Sequence, residues 1–297
     1  MNFDFQIFNE FALGFWPGVS VVLLVGFLVG YLASFLGLGG GFIYTPFFHT
    51  FFHLTAVQAV AVSLAQMPLS ALSGLYVYFK NNKIRFKEGF LLLCTSIPSA
   101  QLVAYKFGRF EETDLGRSLV YGIPFSEFLY LIVFTVFLGI MGIYNLFSAI
   151  RKKNQTYEIS NMDNGLPKTN RFALSSKHIL ILLLTGILFG MFSSLFGIGG
   201  GFLAVPLFVY YFRMEPVEAV ATSFLGIFVT SFGTSLLFMY QGKLHLDLAL
   251  VGTMGGLIGA RFGSQKAVKA KPYFILLVTS VFQILVVVWY LFSKLPR

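Results

Sequence analysis

Hydrogen-bond donors occupy matching positions inside the apolar stretches of this 297-residue sequence. Polar side chains within a membrane span are costly and usually functional, and no acidic residue lies deep in a span. Arg261 is the one arginine inside a span, and Gln101 stands at the matching position 160 residues earlier. Hydroxyl, amide and guanidinium groups donate hydrogen bonds, which favours an anionic or neutral substrate. The candidate substrate-binding residues are Ser34, Gly39, Gly40, Gly41, Ser63, Gln66, Gln101, Ser194, Gly199, Gly200, Gly201, Thr222, Ser223 and Arg261.

Other chemistries have less support in the sequence. Arg261 has a second interpretation, as an end-of-helix arginine whose charge reaches the membrane interface. His49 and His53 share a helical face among phenylalanines, which is typical of an interfacial polar–aromatic cluster more than of a metal site. Cys94 is the only cysteine, so a thiolate cluster is excluded. No Ser-His-Asp or His-Glu-x-x-His pattern occurs, and neither an enzyme, a metal nor a cofactor is expected.

A ten-residue glycine phrase occurs twice, at 37–46 and 197–206, each time within a long apolar run. The two copies read Gly-x-Gly-Gly-Gly-Phe-x-x-x-Pro. Backbone that leaves helical geometry in lipid is tolerated only where protein covers it or a cavity borders it. The phrase therefore predicts a tight reversal followed by a new helix, whose first N–H groups can bind an anion. Close helix packing on small residues is the alternative. A dinucleotide fingerprint is excluded because no soluble βαβ unit surrounds it.

The composition places most of the chain in lipid. Hydrophobic residues make up 57% of the sequence and charged residues 11%, with a mean hydropathy of +0.79. The net charge of +9 comes from short basic loops, which report membrane orientation rather than a nucleic-acid partner. Ten apolar runs are visible, most of them near the ~20 residues that a spanning helix needs. Runs 41–53 and 201–213 are shorter, which predicts half-helices or re-entrant hairpins.

The 160-residue offset extends far beyond the glycine phrase and indicates a tandem duplication. With the linker on the cytoplasmic side and Arg261 left aside because it lies within a span, 14 basic residues fall inside and 6 outside, and equivalent loops lie on opposite sides. The expected fold is an all-α polytopic membrane protein with two inverted repeats of about five segments; parallel repeats are the alternative. The expected parts are an interfacial lead-in at 1–17 without a secretory signal, repeats at 18–148 and 178–297, and a cytoplasmic linker at 149–177.

The doubled glycine phrase resembles that of the sulfite exporter TauE/SafE family of permeases, and the likeness covers about Gly18 to Tyr290. The resemblance implies transport of sulfur-containing anions (sulfite, sulfoacetate or other organosulfonates) across a bacterial inner membrane, without an organic cofactor. Family members are often described with four spans in each half.

The combined expectation is a secondary active transporter that works by alternating access between the repeats. Its expected partners are a small anion, the lipid bilayer and a coupling proton or other ion. No nucleic-acid partner is expected, and the sequence is compatible with a homo-oligomer. A passive anion channel lined by the same donors is the first alternative, and a non-transporting membrane scaffold is the second.

Overall fold

The computed structural model describes residues 5–8, 14–37, 39–159, 175–268 and 272–294. These residues form eleven α-helices, a single turn of 3-10 helix at Phe5–Phe8 and a two-stranded hairpin. The helices are α1 Phe15–Leu36, α2 Gly41–Phe51, α3 Ala56–Lys80, α4 Phe86–Phe110, α5 Asp114–Arg117, α6 Phe125–Ile159, α7 Ser176–Phe196, α8 Gly201–Tyr210, α9 Pro216–Tyr240, α10 Leu246–Ala267 and α11 Pro272–Lys294. The strands are β1 Leu119–Val120 and β2 Ile123–Pro124, paired antiparallel.

Six of the described helices are long and apolar enough to cross a membrane: α1, α3, α4, α6, α7 and α9. The prediction of an all-α polytopic membrane protein is confirmed. Helix α10 is also long, with 22 residues, but its glycines and charged residues keep it out of that group of six. Its glycine face packs against α1 and α3. The two short helices α2 and α8 have 11 and 10 residues, as their short apolar runs predict.

The first four helices of the first half, α1 to α4, correspond in order to the first four helices of the second half, α7 to α10. Adding 160 to the starts of α2, α3 and α4 gives the starts of α8, α9 and α10. The correspondence ends after α4, where α5 and the β1–β2 hairpin are inserted before α6. Between α10 and α11 only residues 268–271 are available, so the insertion belongs to the first half alone.

Helix α1 makes its largest contact with α10 of the other half, and α4 makes its largest contact with α7. The backbone of Gly26 contacts that of Gly252, and the backbone of Gly30 contacts that of Gly256. Because residue numbers increase in the same direction along both helices, α1 and α10 are parallel. In each pair a Cβ on one glycine would overlap the carbonyl of the other. The small-residue face lets the two backbones touch, as in close helix packing within membranes.

The repeats are inverted, as the charge pattern predicts. Helix α3 is also parallel to α10, because Gln66 lies on Gly252 and Ser70 lies on Gly256. Helix α4 follows α3 through residues 81–85 and so runs in the opposite direction. Helix α10 is therefore antiparallel to α4, its own counterpart, and the alternative of parallel repeats does not hold.

Two predicted boundaries differ from the helix ends. The first helix begins at Phe15 rather than near 18, because Pro17 lies in its first turn, where no intrahelical N–H is needed. Helix α6 continues to Ile159, beyond the predicted repeat end at 148, through a polar stretch of good helix formers. Residues 160–174 of the linker, and residues 1–4 and 9–13 of the lead-in, lie outside the described residues. The domain boundaries and the cytoplasmic side of the linker stay predictions.

Candidate functional site

The two glycine phrases meet each other in the protein interior. Gly41 packs against the carbonyl of Gly197, and reciprocally Gly201 packs against the carbonyl of Gly37, so that a Cβ at either position would overlap backbone. Gly39 lies equally close to the carbonyl of Ile198. We call the set Gly37, Gly39–Gly41, Gly197 and Gly199–Gly201 the glycine centre. The predicted convergence of the two breaks is thus present in the structure.

Each break reverses the chain by the same device. Helices α1 and α7 end at Gly37 and Gly197 with φ angles of 72° and 70°, a left-handed conformation that glycine adopts without steric cost. Their N–H groups donate to the carbonyls of Ala33 and Ser193 at 2.8 and 2.9 Å. The following short helix then runs back along its predecessor, and the Tyr44 hydroxyl of α2 donates to Gly26 O of α1 at 3.2 Å.

A hydroxyl group of α9 bonds the break of the first half directly, and a hydroxyl group of α3 is linked to the break of the second half through Thr45. Ser223 Oγ of α9 donates to Gly37 O at 3.3 Å and to Val220 O at 2.8 Å. Ser63 Oγ of α3 shares a hydrogen bond of 2.9 Å with Thr45 Oγ1 of α2. Thr45 Oγ1 donates to Phe196 O at 3.1 Å, one residue before Gly197. Thr45 was not among the predicted residues, because its counterpart in the repeat is Val205.

Three buried polar side chains, two of them predicted to bind substrate, have no hydrogen-bond partner among the described residues. Both amide atoms of Gln66 and the hydroxyls of Ser193 and Ser194 have none within the described part of the chain. Gln66 and Ser194 are completely buried. An orphaned buried donor or acceptor costs about 1–3 kcal/mol and calls for an explanation such as a ligand or water. Ser34, by contrast, donates internally to Gly30 O at 2.9 Å.

The remaining predicted residues lie apart from these groups. Arg261 is exposed, whereas every described residue of the glycine centre is buried. Gln101 is half-buried and borders Gly233, about 15 Å along α9 from Ser223 at 1.5 Å per residue. Thr222 accepts a hydrogen bond of 3.1 Å from the N–H of Arg85. The structure therefore does not bring Arg261 and Gln101, both expected among the substrate-binding residues, to the glycine centre.

Space at the glycine centre is small in this arrangement. A cavity of about 20 Å³ borders Gly39, Gly40 and Tyr44, enough for roughly one water. A larger cavity of about 730 Å³ lies between α4, α6 and α7. Its lining runs from Arg109 at the end of α4 to Phe196 beside the glycine centre, and it is mostly apolar.

A second buried polar cluster, which we call the His49 cluster, was not predicted from the sequence. It consists of His49 on α2, Glu127 on α6 and Tyr290 on α11. His49 Nε2 lies 2.8 Å from Glu127 Oε2, and His49 Nδ1 is hydrogen-bonded to the Tyr290 hydroxyl. Glu127 Oε1 accepts the N–H of Ala56 at 2.7 Å.

The His49 cluster holds only one histidine. His53 is exposed, in a left-handed conformation after the end of α2, whereas the His49 side chain is buried. Among the described residues no group of three or more His, Cys, Asp or Glu side chains could hold a metal ion. His49 is thus paired with a carboxylate rather than with His53.

Comparison with known proteins finds relatives that are named as membrane transporters. The family model described as "Sulfite exporter TauE/SafE" matches residues 22–290. The chain is 29% identical over 252 residues to the probable membrane transporter protein YunE of Bacillus subtilis, covering 82% of this chain and 86% of that protein. It is 23% identical over 269 residues to the probable membrane transporter protein MJ0441 of Methanocaldococcus jannaschii, covering 86% and 88%. No solved structure matches.

Proposed function

The chain belongs to the sulfite exporter TauE/SafE family of membrane transporters, and from this membership and the glycine centre we propose that it is a secondary active transporter of a small sulfur-containing anion. Sulfite, sulfoacetate and other organosulfonates are the proposed substrates. The observation that carries the proposal is the reciprocal contact of Gly41 with Gly197 and of Gly201 with Gly37. Catalysis has no part in the proposal.

The proposed anion-binding site, which we call the anion seat, lies between the N-termini of α2 and α8 at the glycine centre. The first N–H groups of a helix have no intrahelical partner and carry the positive end of its dipole. Two such N-termini, one from each inverted repeat, can both donate hydrogen bonds to an anion that has several oxygens. Ser194 and Gln66, which are buried and unpartnered, supply further hydrogen bonds when the substrate is present. Arg261 takes no part in the seat because it is exposed.

Alternating access is proposed because the two hairpins fit tightly against each other. The adjacent cavity of about 20 Å³ is too small for a sulfur oxyanion, so binding requires the hairpins to separate. The 730 Å³ cavity that reaches Phe196 supplies the route on one side of the membrane, with Lys106 and Arg109 in its lining to attract the anion. Its counterpart on the other side opens when the two repeats exchange conformations.

Orientation is proposed from the charge pattern. Basic loop 80–87 lies on the cytoplasmic side of a bacterial inner membrane, and loop 241–247 lies on the opposite side. Single cysteines in these two loops of a Cys94→Ser variant, treated with a membrane-impermeant maleimide on intact cells, should be labelled in 241–247 only. Labelling of both loops from one side would contradict the orientation.

Substrate transport is tested by counterflow of radiolabelled sulfite or sulfoacetate in proteoliposomes. Gly40→Leu combined with Gly200→Leu should abolish counterflow, because Gly40 packs on Val29 and Gly200 on the Phe189 ring, within 3 Å of a Cβ. Gly139→Leu is the control, since nothing lies within 4 Å of its Cβ. Normal counterflow in the double variant would overturn the site. Flux that follows voltage alone, without counterflow, would favour a channel, and absence of any flux would favour a scaffold.

Contact with substrate is tested by affinity. Gln66→Leu and Ser194→Ala should each raise KM for counterflow about tenfold, which corresponds to roughly 1.4 kcal/mol for one lost hydrogen bond. Ser73→Ala is the matched control, because the Ser73 hydroxyl bonds Leu257 O on an exposed face. An unchanged KM in both seat variants would remove them from the binding site.

A further inference from the structure

We propose that the His49 cluster is the proton-binding site that couples transport to the proton gradient. This inference rests on the proposed function and names its coupling ion. Carboxylate and imidazole side chains buried within membrane proteins are typical of proton pathways in transporters, and this pair is buried where α2 ends and α6 begins. His49 and Glu127 come from different helices, are only 7% and 15% exposed, and face each other at 2.8 Å.

Protons can reach the cluster from one side. Glu127 also lines a cavity of about 280 Å³, together with Thr55, Arg117 and Lys243. This cavity lies at the insertion that follows α4, on the side that the charge pattern assigns to the exterior. Glu127 thus contacts the aqueous cavity and the buried imidazole at once, which is the position required of a group that passes a proton inwards.

The cluster is mechanically connected to the glycine centre through α2. His49 and Thr45 are four residues apart, so they lie on one face of α2, one turn from each other. Thr45 bonds Ser63 and the carbonyl of Phe196, next to Gly197. A change in how the last turn of α2 binds α6 and α11 therefore acts on the contact between the two hairpins.

The cluster occurs in only one of the two repeats. The residues equivalent to Thr45 and His49 in α8 are Val205 and Val209. Valine packs at these places in the second half, so packing alone does not require a hydroxyl or an imidazole there.

The proton balance is simple. In the proposed state without the added proton, Glu127 is a carboxylate and His49 is neutral. One proton from water in the cavity joins this pair, its charge changes from −1 to 0, and no other bond is made or broken. The same proton leaves to water on the other side when α2 moves. Among the described residues, the cavity that Glu127 borders is also lined by Glu111, Glu112, Arg117 and Lys243, and Tyr130 packs edge-on against His49. Lys106 and Arg109 line the neighbouring cavity together with Tyr130, and His53 is exposed beyond the end of α2.

The test compares proton-driven accumulation with counterflow in proteoliposomes that contain the full chain. With one proton coupled to each anion and no membrane potential, a gradient of one pH unit should give the wild type an anion concentration ratio of about tenfold. Glu127→Gln and His49→Gln should keep counterflow and lose this accumulation, with a ratio near 1. Glu215→Gln, which removes an exposed partner of Lys83, is the control and should behave as the wild type.

Each outcome decides the inference. Wild-type counterflow without accumulation by a pH gradient overturns the proton site and leaves the proposed function intact. Loss of counterflow together with accumulation in folded variants shows a purely structural pair and also overturns it. If the variants of Glu127 and His49 do not fold, Tyr290→Phe keeps the ring and should shift the pH of half-maximal counterflow; an unchanged pH profile contradicts the site. Absence of wild-type counterflow for any sulfur anion overturns the proposed function and this inference with it.

Discussion

Replacing Gly41 with alanine should destabilise the protein, although alanine is the better helix former by about 1 kcal/mol. Gly41 is the first residue of α2 and has no left-handed φ angle, so the backbone itself tolerates a side chain. The added Cβ would overlap the carbonyl of Gly197 and would lie 2.7 Å from the N atom of Ile198. Ordinary contact begins at 3.4 Å, so relief of the second contact alone requires the hairpins to move apart by 0.7 Å (3.4 − 2.7).

The expected magnitude follows from the kind of atoms in contact. Overpacking of a well-packed core costs about 1–3 kcal/mol, and here the neighbour is backbone, which cannot change rotamer. Gly139→Ala on α6 is the matched control, because it is helical and open and should gain up to about 1 kcal/mol. The propensity gain is common to both glycines, so the two variants should differ by the overpacking cost of about 1–3 kcal/mol. At roughly 2–4 °C per kcal/mol, their Tm values should differ by about 2–12 °C.

The assay is thermal unfolding in nanodiscs, followed by intrinsic tryptophan fluorescence at a fixed scan rate. The scan rate is held constant because unfolding of such proteins is often irreversible and its apparent Tm depends on the rate. A Tm for Gly41→Ala at or above that of Gly139→Ala would refute the direct contact of the two hairpins.

Two further predictions concern the loops. Arg85→Ala should lower stability by about 1.5–3 kcal/mol, because Arg85 Nε and Nη2 both bond the Glu218 carboxylate at 2.9 Å. Lys83→Ala, which removes an exposed ion pair, should cost under about 1 kcal/mol in the same unfolding assay, and equal losses would contradict this ranking. At the opposite loop, hydrogen bonding by Lys243 lowers the pKa of Glu112. Burial lowers the pKa of Lys243, but the hydrogen bond and charges of its carboxylate partners raise it overall. The pair therefore loses its stabilising effect as pH falls through the folded-state pKa of Glu112 or rises through that of Lys243. Lys243→Met should flatten the Tm–pH curve at both ends. An unchanged curve would show that the pair of Lys243 and Glu112 contributes nothing measurable to stability.

Much of the fold could be predicted because the duplication is visible in the residues. The glycine phrases at 37–46 and 197–206 predict the short helices α2 and α8, and the basic loops predict the inversion. Given an inverted pair, the meeting of the two breaks also follows. The lengths of α2 and α8 agree with their apolar runs, since a run of about 13 residues cannot cross the hydrocarbon.

The faces of the helices could not be predicted in the same way. In a membrane protein the lipid-facing and the buried sides of a helix are both apolar, so hydrophobic periodicity does not show which side is inside. Arg261 was therefore assigned to the interior although it is exposed. The His49 cluster was missed for a second reason: His49 and Glu127 stand far apart in sequence, and Glu127 looks like an ordinary residue of a first helical turn.

The parallel pairing of α1 with α10 has a consequence for biosynthesis. Gly26 finds its partner Gly252 only after a further 226 residues have been made (252 − 26), which takes about 10–45 s at about 5–20 residues per second. During that interval the glycine face of α1 contacts lipid or other proteins of the insertion machinery. Helix α4 likewise waits for α7. Neither half can complete its packing alone, so truncation after the first half should yield a product that quality-control proteases remove rather than a half-sized transporter.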